Sequence, residues 1–293
     1  MTRGHVRSLR LALWQCAPVP REPATNLDRL RTVAGRAAEQ GAQVLLTPEA
    51  TLTGYDIGAL DDGLVAGAVD QVVEVARETG IALVVGVLRR DAQGVWRNSA
   101  VLALPGDDPV VYDKAHLFGD LDRSRFVAGE RTHGAAVIDG VPVATLVCYD
   151  VEHPEAVRSA VLDGARLVLV PTANMHPFAG VNDLLVPARA LENGVPVAYA
   201  NHCGQEAETR YLGRSLVAGP DGAVLARAGG AQEELLVVDV PVAIPVEAEG
   251  TPERDAADWG YLRDRRPELY GSLVAGRGTA GQATTDHRPS EER

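Results

Sequence analysis

Cysteine is scarce in this chain and no two cysteines are close in sequence: Cys16, Cys148 and Cys203 are the 3 present, with no Cys-x-x-Cys spacing. An odd, scattered set fits neither the disulfide framework of a small secreted module nor a zinc site, and it predicts a reducing compartment, the cytoplasm. Long apolar runs are also missing. Nowhere do the roughly 18 uncharged apolar residues of a membrane span follow one another. The N-terminal stretch from Met1 to Trp14 is positively charged but lacks the apolar core and small-residue cleavage site of a signal peptide. Basic residues are outnumbered, 28 Lys and Arg against 40 Asp and Glu, for a formal net charge of −12. With no Lys/Arg block to track phosphates, the surface repels polyanions, and neither nucleic acid nor membrane is an expected partner.

What is present describes a globular protein. The 293 residues are 46% apolar and 23% charged, with 30 Gly and 18 Pro, enough to bury a large core in one domain and too apolar for disorder. That domain is expected over residues 1–274. The stretch 275–293, polar, Gly-rich and without period, is expected to be a disordered tail.

Apolar runs of strand length alternate with stretches of helical period. Strands are predicted at Leu9–Cys16, Ala42–Leu46, Ile81–Leu88, Val95–Leu104, Val141–Cys148, Ala165–Val170, Val195–Ala200, Ser215–Ala218 and Glu234–Val240. Most are rich in Val, Leu and Ile without strict alternation, which predicts sheets covered on the inner face and largely on the other. Helices fit Leu64–Glu78, Pro154–Leu162 and Val181–Asn193. Another is expected with Thr25 as its cap and Asp28 three residues on, carrying Leu27, Leu30, Val33, Ala34 and Ala37 on one face. Asp-Gly pairs at Val137-Ile-Asp-Gly-Val-Pro-Val and Ala218-Gly-Pro-Asp-Gly-Ala-Val predict two hairpins. Antiparallel pairing mixed with crossover units points to an α/β fold of two packed mixed sheets with helices outside. No internal repeat is visible.

Familiar motifs fail on context. Gly276-Arg-Gly-Thr-Ala-Gly281 has the glycines of a dinucleotide cradle but no strand before it and no helix after it. No P-loop and no Gly-x-Ser-x-Gly occurs, and the seven histidines show no metal spacing.

Three segments do end an apolar run with a reactive side chain: Val44-Leu-Leu-Thr-Pro-Glu49, Val110-Val-Tyr-Asp-Lys114, and Val143-Ala-Thr-Leu-Val-Cys148-Tyr-Asp-Val-Glu-His-Pro-Glu155. Singly, each residue has an ordinary structural explanation: a buried small hydrophobe, a loop acid, a solvated lysine. Together they meet a chemical requirement. Attack on an unactivated amide needs a nucleophile, a base that takes its proton and returns it to the leaving amine, and a positive group where oxyanion charge develops. Cys148 precedes a helix start at His153-Pro154-Glu155, so the Tyr149 N–H can face the oxyanion, and the helix dipole is expected to favour a thiolate.

The order Glu, Lys, Cys in these contexts resembles the nitrilase (carbon-nitrogen hydrolase) superfamily. The resemblance runs over about residues 9–271 and includes Trp14-Gln-Cys with Asn26, Thr53-Gly-Tyr55, Lys114-Ala-His-Leu-Phe-Gly-Asp-Leu-Asp122, Pro171-Thr-Ala-Asn174, Pro187-Ala-Arg-Ala-Leu-Glu192-Asn, Ala198-Tyr-Ala-Asn-His-Cys-Gly204 and Asp264-Arg-Arg-Pro-Glu-Leu-Tyr270. It implies a four-layer α-β-β-α sandwich that pairs into homodimers or higher homo-oligomers, and a site without metal or cofactor. In that site Cys148 is the nucleophile, Glu49 the general base and acid, and Lys114 the oxyanion-stabilising cation. Asp122, or less readily Asp120, is the supporting carboxylate. His153 stands where the superfamily usually has Phe, an expected packing variation.

Within the superfamily the chain looks most like 5-aminopentanamidases and R-stereoselective amidases. Tyr55, His116, Phe118, Glu152 and Asn174 are the expected substrate contacts. The implied substrate is a small linear ω-amino or guanidino amide, whose cation can draw on Glu152, Asp120, Asp122 or Asp56. Hydrolysis of a nitrile or an N-carbamoyl amino acid by the same triad is the alternative within this chemistry, and a catalytically idle binding module is the alternative outside it.

Overall fold

The computed structural model describes residues 5–244 and 260–274, which fall into two compact units divided after Trp259. The expected tail, 275–293, lies outside the described residues. The first unit runs, in chain order, β1 (His5–Gln15), α1 (Pro23–Glu39), β2 (Val44–Leu46), α2 (Asp62–Val65), α3 (Ala68–Thr79), β3 (Ala82–Arg90), β4 (Trp96–Ala103), β5 (Val110–Asp113), α4 (Gly119–Arg123), β6 (Gly134–Ile138) and β7 (Val141–Thr145). It continues with α5 (Pro154–Leu162), β8 (Leu167–Thr172), α6 (Val186–Asn193), β9 (Val197–Asn201), β10 (Gln205–Glu206), β11 (Thr209–Arg210), β12 (Leu216–Ala218), β13 (Val224–Arg227) and β14 (Glu234–Ile244). The second unit holds a 3₁₀ turn, Pro267–Leu269, and α7 (Gly271–Val274), with the Arg266 N–H donating to the Tyr270 hydroxyl at 3.0 Å.

Two six-stranded mixed sheets dominate, ordered β14-β1-β2-β3-β4-β5 and β13-β12-β9-β8-β7-β6. Each has a parallel centre, β1-β2-β3 in one and β7-β8-β9 in the other, flanked by antiparallel strands. Strand period 2 splits their side chains between two cores. Leu9, Leu11, Leu13, Val44, Leu46 and Val84 face Val143, Leu167, Leu169, Ala198 and Val217 of the other sheet. Ala12, Trp14, Leu45, Leu83 and Val85 turn the other way, onto Leu27, Leu30, Ala34 and Ala37 of α1 and Val72, Val75 and Ala76 of α3. On the far sheet, Ala144 packs against Ala160 of α5. The result is the expected four layers, helix, sheet, sheet, helix.

Local chemistry explains where elements depart from their predicted bounds. Pro23 starts α1 at a position that wastes no N–H, two residues before the expected cap, so Thr25 lies inside the helix and the cap residue is Glu22, without a side-chain bond. Asn26 instead pins the incoming loop, its amide bonding the Val19 N–H (2.9 Å), the Val19 carbonyl (2.8 Å) and the Leu52 carbonyl (3.0 Å). The helix predicted over Leu64–Glu78 is two helices, because Gly67 is left-handed at φ 67°. The Val181–Asn193 helix opens with a π turn over Val181–Leu185. Both hairpins form, the first on Asp139 and Gly140 with φ 47° and 74°. The strand predicted to reach Cys148 stops at Thr145.

Candidate active site

Glu49, Lys114 and Cys148 each follow the carboxyl end of a strand, β2, β5 and β7. The loop after β2 crosses to the second sheet, the Glu49 N–H donating to the Thr172 carbonyl at the end of β8 (3.2 Å). It also rests directly on β3. A Cβ at Gly86 would lie 2.3 Å from the Pro48 carbonyl oxygen and 2.4 Å from the Glu49 Cα, so only glycine lets the strand pass beneath. From above, His202 Nε2 meets the Glu49 carbonyl at 2.5 Å.

Glu49 and Lys114 are fully buried as side chains, with Nζ 2.8 Å from Glu49 Oε1 and 2.6 Å from Asp122 Oδ2. Asn98 Nδ2, from β4, also donates to Glu49 Oε1 (2.6 Å), while Glu49 Oε2 is buried without a partner. Asp122 accepts further bonds from the Tyr55 hydroxyl (2.9 Å) and the Phe118 N–H (3.0 Å). Burial alone would lower the Lys114 pKa, but the two carboxylates outweigh it and hold the ammonium well above its usual range. Of the two expected supporting carboxylates, Asp122 fills the place and Asp120 is exposed on α4.

Cys148 begins a 3₁₀ turn, Cys148–Glu152, with φ 47°, a conformation costly for any residue with a Cβ. Buried Asp150 holds this elbow. Its Oδ2 accepts from the Val147 N–H (3.0 Å) and the Tyr112 hydroxyl (2.8 Å), and its Oδ1 from the His116 N–H and Nδ1 (both 2.8 Å), which ties the nucleophile turn to residues on either side of Lys114. Arg189 of α6 closes the other side, donating to the carbonyls of Val151 (3.0 Å) and Glu152 (2.7 Å). The expectation of a resting thiolate is corrected here. Burial pushes the Cys148 thiol well above its usual range and the Glu49 carboxylate adds to this; Lys114, the Thr172 hydroxyl and the Ala173 N–H oppose it without prevailing. These surroundings run against the thiolate expected from the helix start.

Cys148 opens onto a narrow cleft lined by Tyr55, Phe118, Glu152, Ala173, Asn174, Met175 and Phe178, with about 10 Å³ of free space, room for about one water. Four of the five expected substrate contacts are therefore on the wall. His116 is not. Its ring is held by Asp150 and stacks on His153 at 4.0 Å, with Tyr149 edge-on to His153 at 4.7 Å. Asn174 spends its amide on the wall itself, donating to the Phe178 carbonyl (3.2 Å) and Asn182 Oδ1 (2.7 Å). Glu152 has no ion pair or side-chain hydrogen bond among the described residues, and burial raises its carboxyl pKa against the pull of Lys114 and Arg189. Asp56 is bonded to the Thr209 hydroxyl at 2.8 Å. Among the described residues no group of three or more His, Cys, Asp or Glu could hold a metal, and no helix is long and apolar enough to cross a membrane.

A thiol set against a buried carboxylate and ammonium, at the strand ends of a four-layer sandwich, is machinery for cutting carbon–nitrogen bonds. The chain belongs to the carbon-nitrogen hydrolase family, whose family model matches residues 10–244. It is 41% identical over 279 residues to a hydrolase in the pqqF 5′ region of Pseudomonas protegens, covering 92% of this chain and 93% of that one. An (R)-stereoselective amidase of a Pseudomonas species is 31% identical, with 90% and 93% covered. Among solved structures, a Cys-to-Ser mutant of a Nesterenkonia AN1 amidase from the nitrilase superfamily superposes with a TM-score of 0.80 at 39% identity, over 91% of this chain and 98% of that one. A Cys-to-Ala mutant of the same amidase, with the same TM-score and identity over 91% and 97%, is in complex with butyramide.

Sequence reading missed Asp150, Asn98, Gly86 and Arg189 as parts of this site. Asp150 and Arg189 stand inside the quoted motifs, but only the tertiary bonds show what they do.

Proposed function

We propose that the protein hydrolyses short linear amides to the acid and ammonia through a thioester on Cys148. Glu49 Oε2 takes the thiol proton as the sulfur attacks the carbonyl carbon. The oxygen then carries negative charge, facing the Lys114 ammonium and the Tyr149 N–H. Glu49 returns the proton to nitrogen, the C–N bond breaks and ammonia leaves. Water, deprotonated by Glu49, attacks the thioester, and the acid departs as the thiol is restored. None of these steps calls for a metal or cofactor. The observation that carries this reading is the division of labour on Glu49, with one oxygen occupied by Lys114 and Asn98 and the other buried without a partner.

The preferred substrates in this reading carry a distal cation, as in 5-aminopentanamide or 4-guanidinobutanamide. Glu152 is the support: a carboxylate on the cleft wall with no partner of its own among the described residues. An ammonium paired with it gains a charge-assisted hydrogen bond of roughly 1.5–3 kcal/mol, or about tenfold or more in kcat/KM over a methyl in its place. Ammonia release from 5-aminopentanamide and hexanamide tests this directly. Cys148→Ala should abolish release while Cys16→Ala and Cys203→Ala retain it, and Glu49→Gln and Lys114→Ala should each lower turnover by about 10² or more. Equal efficiency on the two amides would remove the cation site. Activity in Cys148→Ala would remove the thioester.

A further inference from the structure

Glu206 sits on the short ribbon β10-β11, 151 residues from Tyr55 in sequence, yet its buried carboxylate reaches into the Tyr55 loop. Oε2 accepts from the Tyr55 N–H (2.8 Å), the Asp56 N–H (2.7 Å) and the Tyr211 hydroxyl (2.5 Å). Oε1 is buried without a partner. The approach is close enough that a Cβ on Gly54 would lie 2.1 Å from Oε1. An apolar side chain would fill this space without the cost of burying a charge. What the carboxylate adds is a bond into each of two separate walls.

Tyr55 lines the cleft and donates to Asp122, which holds Lys114. Tyr211 bridges to Met175, and around it the Leu212 N–H donates to the Asn174 carbonyl (3.1 Å) and the His176 N–H to the Arg210 carbonyl (3.0 Å). Asn174 and Met175 line the cleft too.

We propose that Glu206 is a positioning residue that sets the width of the acyl cleft, by tying the Tyr55 wall to the Asn174-Met175 wall, and so determines which acyl chain lengths are accepted. This rests on reading the cleft as the amide site.

The test compares Glu206→Leu, which fills the volume and removes all three bonds, with Glu206→Gln, which keeps an acceptor of the same reach, and with Tyr211→Phe, which deletes one oxygen. kcat and KM are measured over acetamide, butyramide and hexanamide. Glu206→Leu should flatten the spread of kcat/KM across the series by about tenfold, mainly through KM. Glu206→Gln should retain most of the spread, and Tyr211→Phe should lose part of it and add nothing to Glu206→Leu. A wild-type length profile in folded Glu206→Leu, with only its melting temperature lowered, overturns the proposal. If Glu206→Leu does not fold, an unchanged profile in Tyr211→Phe does the same. Should the wild type hydrolyse no amide, the functional reading fails by itself. The width proposal is then judged on the rates at which acrylamide and trans-2-hexenamide alkylate Cys148, whose ratio the same variants should flatten; an unchanged ratio overturns it.

Discussion

At the scale of single residues, the site is a set of acids with different duties. Asp122 accepts three bonds and Asp150 four, and they hold Lys114 and the Cys148 turn in place. Glu49 keeps one buried oxygen without a partner, the oxygen that carries the proton in the proposed reaction. Glu152 is different again, since burial raises its carboxyl pKa. The charge that would attract a distal cation is present above that raised value and disappears as the pH falls through it, at a higher pH than for an ordinary carboxylate near 4.3. The preference for 5-aminopentanamide over hexanamide should therefore shrink on acidification while both are still turned over, and Glu152→Gln should show the reduced preference at every pH. Ratios of kcat/KM measured from pH 5 to 8 check this, and a ratio independent of pH would separate Glu152 from substrate selection.

At the scale of elements, β3 is the floor under the Glu49 loop. Replacing Gly86 by Ala places a methyl carbon within 2.4 Å of backbone that cannot yield. Overpacking of this kind costs typically about 1–3 kcal/mol, and here it displaces the Glu49 loop as well. Gly86→Ala should lower both the melting temperature and kcat, whereas Gly35→Ala on α1, where nothing lies within 4 Å, should do neither. The strands and the Pro154–Leu162 helix were legible in sequence because apolar runs and the Pro-Glu start are local signals. That Glu49, Lys114 and Cys148 lie together was legible because a resemblance joined three separate run-ends. Gly86, Asn98 and Glu206 were not, for their duties arise from approaches between segments tens to more than a hundred residues apart, and a glycine or asparagine in a strand carries no local mark of what will cross it. The cap at Thr25 failed for a local reason: Pro23 outcompeted it as the helix start.

At the scale of the whole molecule, two sheets of similar plan meet across an apolar interior, with no repeat visible in the sequence that builds them. The arrangement brings the ends of β2 and β8 together, with Glu49 following a strand of one sheet and Cys148 a strand of the other. The chain carries a formal net charge of −12, which raises the local concentration of cations and is screened by salt over a Debye length of about 10 Å at 0.1 M. Raising ionic strength from about 0.01 to 0.5 M should lower kcat/KM for 5-aminopentanamide and leave that for hexanamide nearly level. Parallel behaviour of the two would place selectivity in the cleft alone.

The left-handed backbone at Cys148 (φ 47°) has one more consequence. A side chain held there opposes the fold by about 1–2 kcal/mol, and glycine is the residue that does not. Cys148→Gly should thus melt higher than Cys148→Ala although both are inert, which makes the glycine form the sturdier vessel for holding an intact amide. In the proposed reaction the attacking sulfur is thus carried on backbone that favours glycine, so the fold gives up part of its stability to hold a side chain there.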